Sequence, residues 1–287
     1  AVDEKSDKCH YLPHRAVFKS DSQTTPVRPV FDASCKTDRS PALNDLLEKG
    51  PNLLELLPTV LLRFRENKIG VTADIRKAFQ MIEVDEKDRD FLRFLWWEDL
   101  ETRKFKMYRH KRVVFGVNCS PFLLAAVLEL HLKNVSGAPT ELSEKLWNSM
   151  YVDNCVTSLS TYEEFEQFKS QATEIMTKAA MTLRGWECSQ LSVSNSNQKL
   201  KDQHDNPTSK VLGIQWHKSE DTLSCVVPEQ EASKIVTKRE ILSFVSKIFD
   251  PIGFVSPVLL PPKLILQGTW SAKQGWDETA RRSSDHI

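Results

Sequence analysis

The tetrapeptide Tyr151-Val152-Asp153-Asn154 constrains this chain more than any other feature. Strand formers flank it, with Met150, Tyr151 and Val152 before and Cys155, Val156 and Thr157 after. Asp and Asn are the residue types that tolerate the positive φ of a two-residue turn. The pattern predicts a tight β-hairpin with Asp153 and Asn154 at its tip, where a carboxylate can meet a metal ion. A hairpin turn without chemistry fits the same residues. A second acid far upstream weighs against the plain turn. Ile69 to Ile75 is apolar and β-branched, which predicts a buried strand carrying Asp74 near its end. A carboxylate in that position needs a partner.

The 287 residues leave room for one large domain or two or three subdomains with a substantial core. Lys plus Arg (39) equals Asp plus Glu (39), so any case for a nucleic-acid partner rests on where the charges lie. Arg103, Lys104, Lys106, Arg109, Lys111 and Arg112 form a basic cluster, and no acid follows until Glu129. A solvated strand face and a phosphate-binding surface both fit that run. The six cysteines form no Cys-x-x-Cys pair, which fits a reducing intracellular setting. Cys9, His10 and His14 could be partial zinc ligands, but no second ligand pair has the usual spacing. The longest apolar stretch, Phe122 to Leu132, contains Glu129 and falls short of the roughly 20 residues of a membrane span, so a soluble protein is expected. The chain starts in mid-stream at Ala1 and reads as a piece of something longer.

From Tyr11 to Ser34, strands broken by Pro13, Pro26 and Pro29 predict a β-rich lobe with Lys19 and Arg28 on or beside a turn at Ser20 to Thr25. Leu43 to Leu57 has a leucine-rich helical pattern interrupted at Gly50-Pro51, and Thr59 to Glu66 continues as helix. Arg76 to Ile82 turns over Phe79, and Phe91 to Trp97 reads as an aromatic strand followed by a second strand over the basic cluster. Ser120-Pro121 signals a helix start with Ser as cap, running to about Leu132. Capping-box patterns at Thr161/Glu164 and Thr237/Glu240 open two further helices. Between them, Gln190 to Lys210 reads as a polar loop, and Val211 to Trp216 with Thr222 to Val227 reads as a hairpin around Lys218 to Asp221. One antiparallel sheet with covering helices and lobes at either end makes the expected class α+β.

Asp74 and Asp153 on neighbouring strands could hold two Mg²⁺ ions for phosphoryl displacement, with Lys19 and Arg28 neutralising a triphosphate. An unrelated Mg²⁺ nuclease or phosphatase would explain the acid pair equally well. The other motifs in their order are Tyr11-Leu12-Pro13-His14, Val27-Arg28-Pro29-Val30-Phe31-Asp32-Ala33-Ser34, Ala73-Asp74-Ile75-Arg76-Lys77-Ala78-Phe79, Phe115-Gly116 through Ser120-Pro121, Tyr151-Val152-Asp153, Leu183-Arg184-Gly185-Trp186, Val211-Leu212-Gly213-Ile214 and Phe249-Asp250-Pro251-Ile252-Gly253. In this order the chain resembles the reverse transcriptase of an LTR retrotransposon, most closely the Pao/BEL group.

The resemblance implies a right-hand polymerase fold: fingers at 1–68, a palm strand at 69–82 with the first catalytic Asp, and fingers and palm strands at 83–117. Palm with the hairpin and the start of a primer grip would follow at 118–217, then the rest of that grip and the start of a thumb or connection at 218–287. It implies RNA- and DNA-directed DNA polymerase activity with Mg²⁺, or Mn²⁺ in its place. Asp74 and Asp153 would be the metal ligands and Asn154 their catalytic neighbour, in the place of the second Asp of Tyr-x-Asp-Asp. Lys19, Arg28, Phe79 and Phe115 would bind the nucleotide, Phe79 against the sugar's 2′ position, and Leu212, Gly213 and Trp216 would grip the primer. The partners implied are an RNA or DNA template with primer, dNTP, and the protease, RNase H and integrase parts of a polyprotein, none of which the sequence itself displays. No membrane is expected; the implied setting is cytoplasmic, in a virus-like particle where the element is active. Because Asn154 removes a charge, a catalytically decayed remnant that keeps the fold or nucleic-acid binding is the alternative.

Overall fold

The computed structural model describes residues 8–18, 26–38, 40–137, 139–189, 207–228 and 236–280. Lys19 and the turn from Ser20 to Thr25 lie outside the described residues, as does most of the polar stretch from Gln190. The fold is a mixed α and β one. Among the described residues the strands form four sheets, two of two strands, one of three and one of four, rather than the one expected.

The first hairpin pairs β1 (His14–Phe18) with β2 (Val27–Phe31) antiparallel. The leucine-rich pattern after it yields a single helical turn, α1 (Leu43–Leu46), and then no helix until α2 (Leu57–Phe64). The helix ends where Leu47 turns extended, at φ −90° and ψ 138°, and Gly50 at φ 74° with the Pro after it keeps the following residues from resuming it. Strand β3 (Ile69–Ile75) has the expected bounds, with Val71, Ala73 and Ile75 all buried. Short 3-10 turns follow at Ala78–Met81 and Glu86–Leu92. The aromatic strand starts two residues later than expected, as β4 (Arg93–Asp99), because Phe91 and Leu92 close the second turn; it pairs with β5 (Lys104–Arg109).

Helix α3 (Ser120–Asn134) starts as predicted, but Ser120 is no cap. Its hydroxyl donates to the Val114 carbonyl at 2.8 Å, and Cys119 holds the cap position. Helix α4 (Thr140–Ser149) leads directly into β6 (Met150–Tyr151) and β7 (Asn154–Leu159). Helix α5 (Tyr162–Lys178) buries Phe165, Phe168, Ala172, Ile175 and Met176, which recur at helical spacing, and the chain returns as β8 (Leu183–Cys188). The four-stranded sheet has the order β6-β7-β3-β8, so strands distant in sequence become neighbours.

The supposed hairpin arm from Val211 to Trp216 is broken by a turn. Strands β9 (Thr208–Val211), β10 (Ile214–His217) and β11 (Thr222–Ser224) form a three-stranded sheet. Leu212 and Gly213, at φ 48° and 93°, make a two-residue turn with both φ positive. Helices α6 (Lys238–Lys247) and α7 (Ser256–Ser271) end the described chain, and Thr237 and Glu240 form the predicted capping box.

By contacts the chain divides into two units. The first comprises Ala1–Glu55, Ala73–Cys155 and Glu166–Trp186, and the second Leu56–Thr72, Val156–Phe165 and Glu187–Ile287. In the first, Leu12, Ala33, Leu43, Leu92, Val114 and Val117 form one buried cluster. In the second, Phe64 meets Trp216 edge to face at 5.1 Å between ring centres.

Candidate active site

The hairpin exists, with its turn one residue earlier than the sequence suggested. Tyr151 pairs with Asn154 and Met150 with Cys155, so the two turn residues are Val152 and Asp153, and Asn154 opens β7. The positive φ falls on Val152, at 57°. A β-branched residue rarely tolerates that conformation, which costs about 1 to 2 kcal/mol. Register explains why it is accepted. Cys155 and Val156 are almost fully buried, and a one-residue slip would turn β7's side chains to the opposite faces. The strained turn presents Asp153 beside the end of β3, where the Ile75 amide donates to the Asp153 carbonyl at 2.8 Å.

The Asp153 carboxyl is displaced by its surroundings. Burial raises the Asp153 carboxyl above the usual carboxylate range, a backbone hydrogen bond pulls it back in part, and the charge of Asp74 raises it further. Asn154 Nδ2 donates to Asp153 Oδ1 at 3.0 Å. On the other side, Arg184 of β8 donates from Nε to Asp74 Oδ2 at 3.1 Å. Next to it Gly185 has φ 61°, and a Cβ there would stand 3.1 Å from Asp74 Oδ1. Arg184 is the site residue that the sequence reading missed. It was visible within Leu183-Arg184-Gly185-Trp186, but only strand adjacency in the sheet shows which acid it meets.

The donors fit a hard divalent ion in type: two carboxylates kept close in a half-buried place, and an amide oxygen on Asn154 left over once Nδ2 is used. Among the described residues no group of three or more His, Cys, Asp or Glu side chains comes together, at Cys9, His10 and His14 or elsewhere. The acid pair therefore lacks a third carboxylate.

Phe79 and Phe115 form an edge-to-face pair, 4.6 Å between ring centres. Phe79 is buried beneath, while Phe115 is 57% exposed. The Phe115 loop is held from below. Gly116 at φ 94° passes so near Phe31 that a Cβ would lie 2.6 Å from the Phe31 carbonyl, and Asn44 Nδ2 donates to the Gly116 carbonyl at 2.9 Å. Arg28 lies exposed in β2. The basic cluster is largely satisfied within the protein. Glu98 accepts from Lys104 at 2.9 Å and Lys106 at 3.0 Å, which draw its carboxyl down to about 2, and Arg109 pairs with Asp90 and Glu86. Arg112 donates to the Met81 carbonyl. This favours the solvated-face reading over a phosphate surface.

In the second unit, Leu212 and Gly213 form the β9–β10 turn, where a Cβ on Gly213 would come 2.7 Å from the Phe249 ring. Trp216 is fully buried, and its Nε1 donates to Asp221 Oδ1 at 2.9 Å. Asp221 also binds Arg65 at 2.7 Å. Trp216 is thus a core residue beneath the turn and touches nothing outside.

The fold has relatives among solved structures. The chain superposes on the foamy viral protease-reverse transcriptase in complex with RNA/DNA hybrid at TM-score 0.59, 17% identical, over 97% of this chain and 32% of that one. A second structure of that protein, the dRH form in complex with ds DNA, gives TM-score 0.60 and 16% identity over 96% and 41%. The chain therefore spans about a third of the length of the first. No curated protein sequence matches it.

Residues 237–286 match the family model of the Pao retrotransposon-like RNaseH-like domain. The sequence reading found no RNase H part in the chain, yet the matched model carries that description. Over its described residues the matched segment consists of α6 and α7, with a bridge between Thr237 and Thr279. The tail thus resembles a retrotransposon sequence and the whole chain a retroviral fold. None of the six cysteines is in a disulfide, and among the described residues no helix is long and apolar enough to cross a membrane.

Proposed function

We propose that this chain is the reverse-transcriptase part of a Pao/BEL-type retrotransposon polyprotein. It transfers nucleotidyl groups from dNTP to a primer 3′-hydroxyl on RNA or DNA templates. The observation that carries this reading is that Asp153, in the turn between β6 and β7, and Asp74, near the end of the neighbouring strand β3, come from distant parts of the chain to where the charge of Asp74 bears on the Asp153 carboxyl. The likeness of the fold to the foamy viral protease-reverse transcriptase supports it.

In this reading Asp74, Asp153 and the amide oxygen of Asn154 hold Mg²⁺, or Mn²⁺ in its place. When bound, two such ions stabilise the attacking and leaving oxygens of an in-line displacement. The protein supplies position. Lys19 and Arg28 neutralise the triphosphate, and the Phe79–Phe115 pair lies against the sugar, excluding a 2′-hydroxyl by its bulk. The Leu212-Gly213 turn meets the primer end, with Trp216 as its buried support. The solved relatives hold an RNA/DNA hybrid and ds DNA, and we carry over to this chain a primer-template duplex as partner, together with the protease, RNase H and integrase parts of its polyprotein.

Primer extension on an RNA template with purified protein tests the proposal. Mg²⁺-dependent dNTP incorporation, lost in Asp74→Asn, is the expected result; absence of product, or an Asp74→Asn variant as active as the parent, sinks it. The lack of a third carboxylate beside Asp74 and Asp153 favours one other reading, a remnant that binds nucleic acid without catalysis. An Asn154→Asp variant that gains strong activity over an inert parent would establish that reading instead.

A further inference from the structure

Arg184 stands where a cation belongs. Its Nε donates to Asp74 Oδ2 at 3.1 Å, and on the same strand the Gly185 backbone comes so near that a Cβ would lie 3.1 Å from Oδ1. Strand β8 thus comes close to both oxygens of Asp74, with the guanidinium of Arg184 at one and Gly185 beside the other. The side chains of Arg184 and Asp74 are 56% and 40% exposed, so the pair is open to competition from solvent ions rather than locked in a core. Asp153 is engaged differently, by the neutral Asn154 amide. The two acids are therefore unequal: one already has a positive partner and the other has only a dipole.

We propose that Arg184 is a built-in counter-cation for Asp74, a positioning residue that holds the carboxylate in place until a divalent ion displaces the guanidinium. This rests on the metal-site reading above. Asp153, Asn154 and Asp74 would hold the ion together once Arg184 releases Oδ2. The exchange would put a doubly charged ion where a single positive charge stood, and would free the guanidinium for another partner. A side chain at Gly185 would crowd Asp74 Oδ1, so the glycine leaves that carboxylate room to move.

The test is metal binding by the full chain, read by Mn²⁺ electron paramagnetic resonance, together with the arginine Nε–H signals in a ¹⁵N spectrum titrated with Mg²⁺. Arg184→Ala is expected to tighten Mn²⁺ binding roughly two- to fivefold at low salt, the size of a half-exposed ion pair, with Arg184→Lys restored toward the parent. The Arg184 Nε–H signal, identified by its absence in Arg184→Ala, should shift as Mg²⁺ saturates. If Mn²⁺ binds and Asp74→Asn abolishes the binding, but Arg184→Ala leaves affinity unchanged or weaker and the signal stays fixed, this inference falls while the metal site stands. If the parent binds no Mn²⁺, both fall.

Discussion

Asn154 Nδ2 donates to Asp153 Oδ1 at 3.0 Å, so the residue that replaces a carboxylate in the expected motif gives its neighbour a hydrogen bond instead of repelling it. Converting Asn154 to Asp removes that donor and adds a like charge. In metal-free buffer the variant should lose about 1 to 3 kcal/mol of stability, the size of a hydrogen bond to a charged group, and regain more of it than the parent when Mg²⁺ is added. Thermal melts with and without Mg²⁺ check both halves.

Asp153 has its carboxyl raised by burial and by Asp74, so its ionised form weakens the metal-free fold. The sign follows. Where the folded value exceeds the unfolded one, stability falls as pH rises through the interval between them, and the penalty is fully present above the folded value. Asp153→Asn should therefore be more stable than the parent at neutral pH without metal, with the gap closing on acidification through the carboxylate range. The same variant should lose more than about a hundredfold in dNTP incorporation, beyond the effect usual for groups that only support a metal ligand. Denaturant titrations across pH and primer extension read the two effects separately.

Val152 sits at φ 57°, where Asn is at ease and a β-branched side chain is not. Val152→Asn should raise stability by up to roughly 1 kcal/mol, offset in part by lost apolar contact near Trp147 and Met150, which line the same cleft. The urea midpoint should move up with an unchanged slope. A fall would mean that contact outweighs backbone strain at this turn.

Trp216 and Asp221 share a buried hydrogen bond within the second unit. Trp216→Phe keeps an aromatic in place but leaves the carboxylate one donor short, and it should cost about 1 to 3 kcal/mol by chemical denaturation. Asp221→Asn should cost a comparable amount, because it also removes the charge facing Arg65.

Asp250 ties together the turn that leads into α7. Burial alone would raise its carboxyl, yet the N–H groups of Val255, Gly253 and Phe254 donate to it and bring it below the usual range. Its contribution is thus present above the unfolded value near 3.8 and is lost as pH falls through the lower folded value. Asp250→Ala should cost about 1 to 2 kcal/mol at pH 7, with a smaller gap in acid, measured by circular dichroism melts.

Strand β3 and the buried face of α5 could be read from the sequence because their signals are local: a β-branched apolar run for one, apolar residues at helical spacing for the other. The capping box at Thr237 and Glu240 was legible for the same reason. The short α1 was not, since a leucine-rich pattern states which side chains favour burial and not how far a helix propagates past Gly50. Likewise, nothing near Ser120 shows that its hydroxyl is already taken by the Val114 carbonyl.

The sequence by itself determined that an acid would lie at the end of a buried strand and another within a hairpin, because strand and turn preferences act over a few residues. Only the tertiary structure decided which hairpin residue takes the positive φ, since the burial of Cys155 and Val156 sets the register there. It also decided that Arg184, 110 positions from Asp74, answers the acid's charge. Strand order in the sheet made that pair, and strand order depends on contacts among segments far apart in the chain.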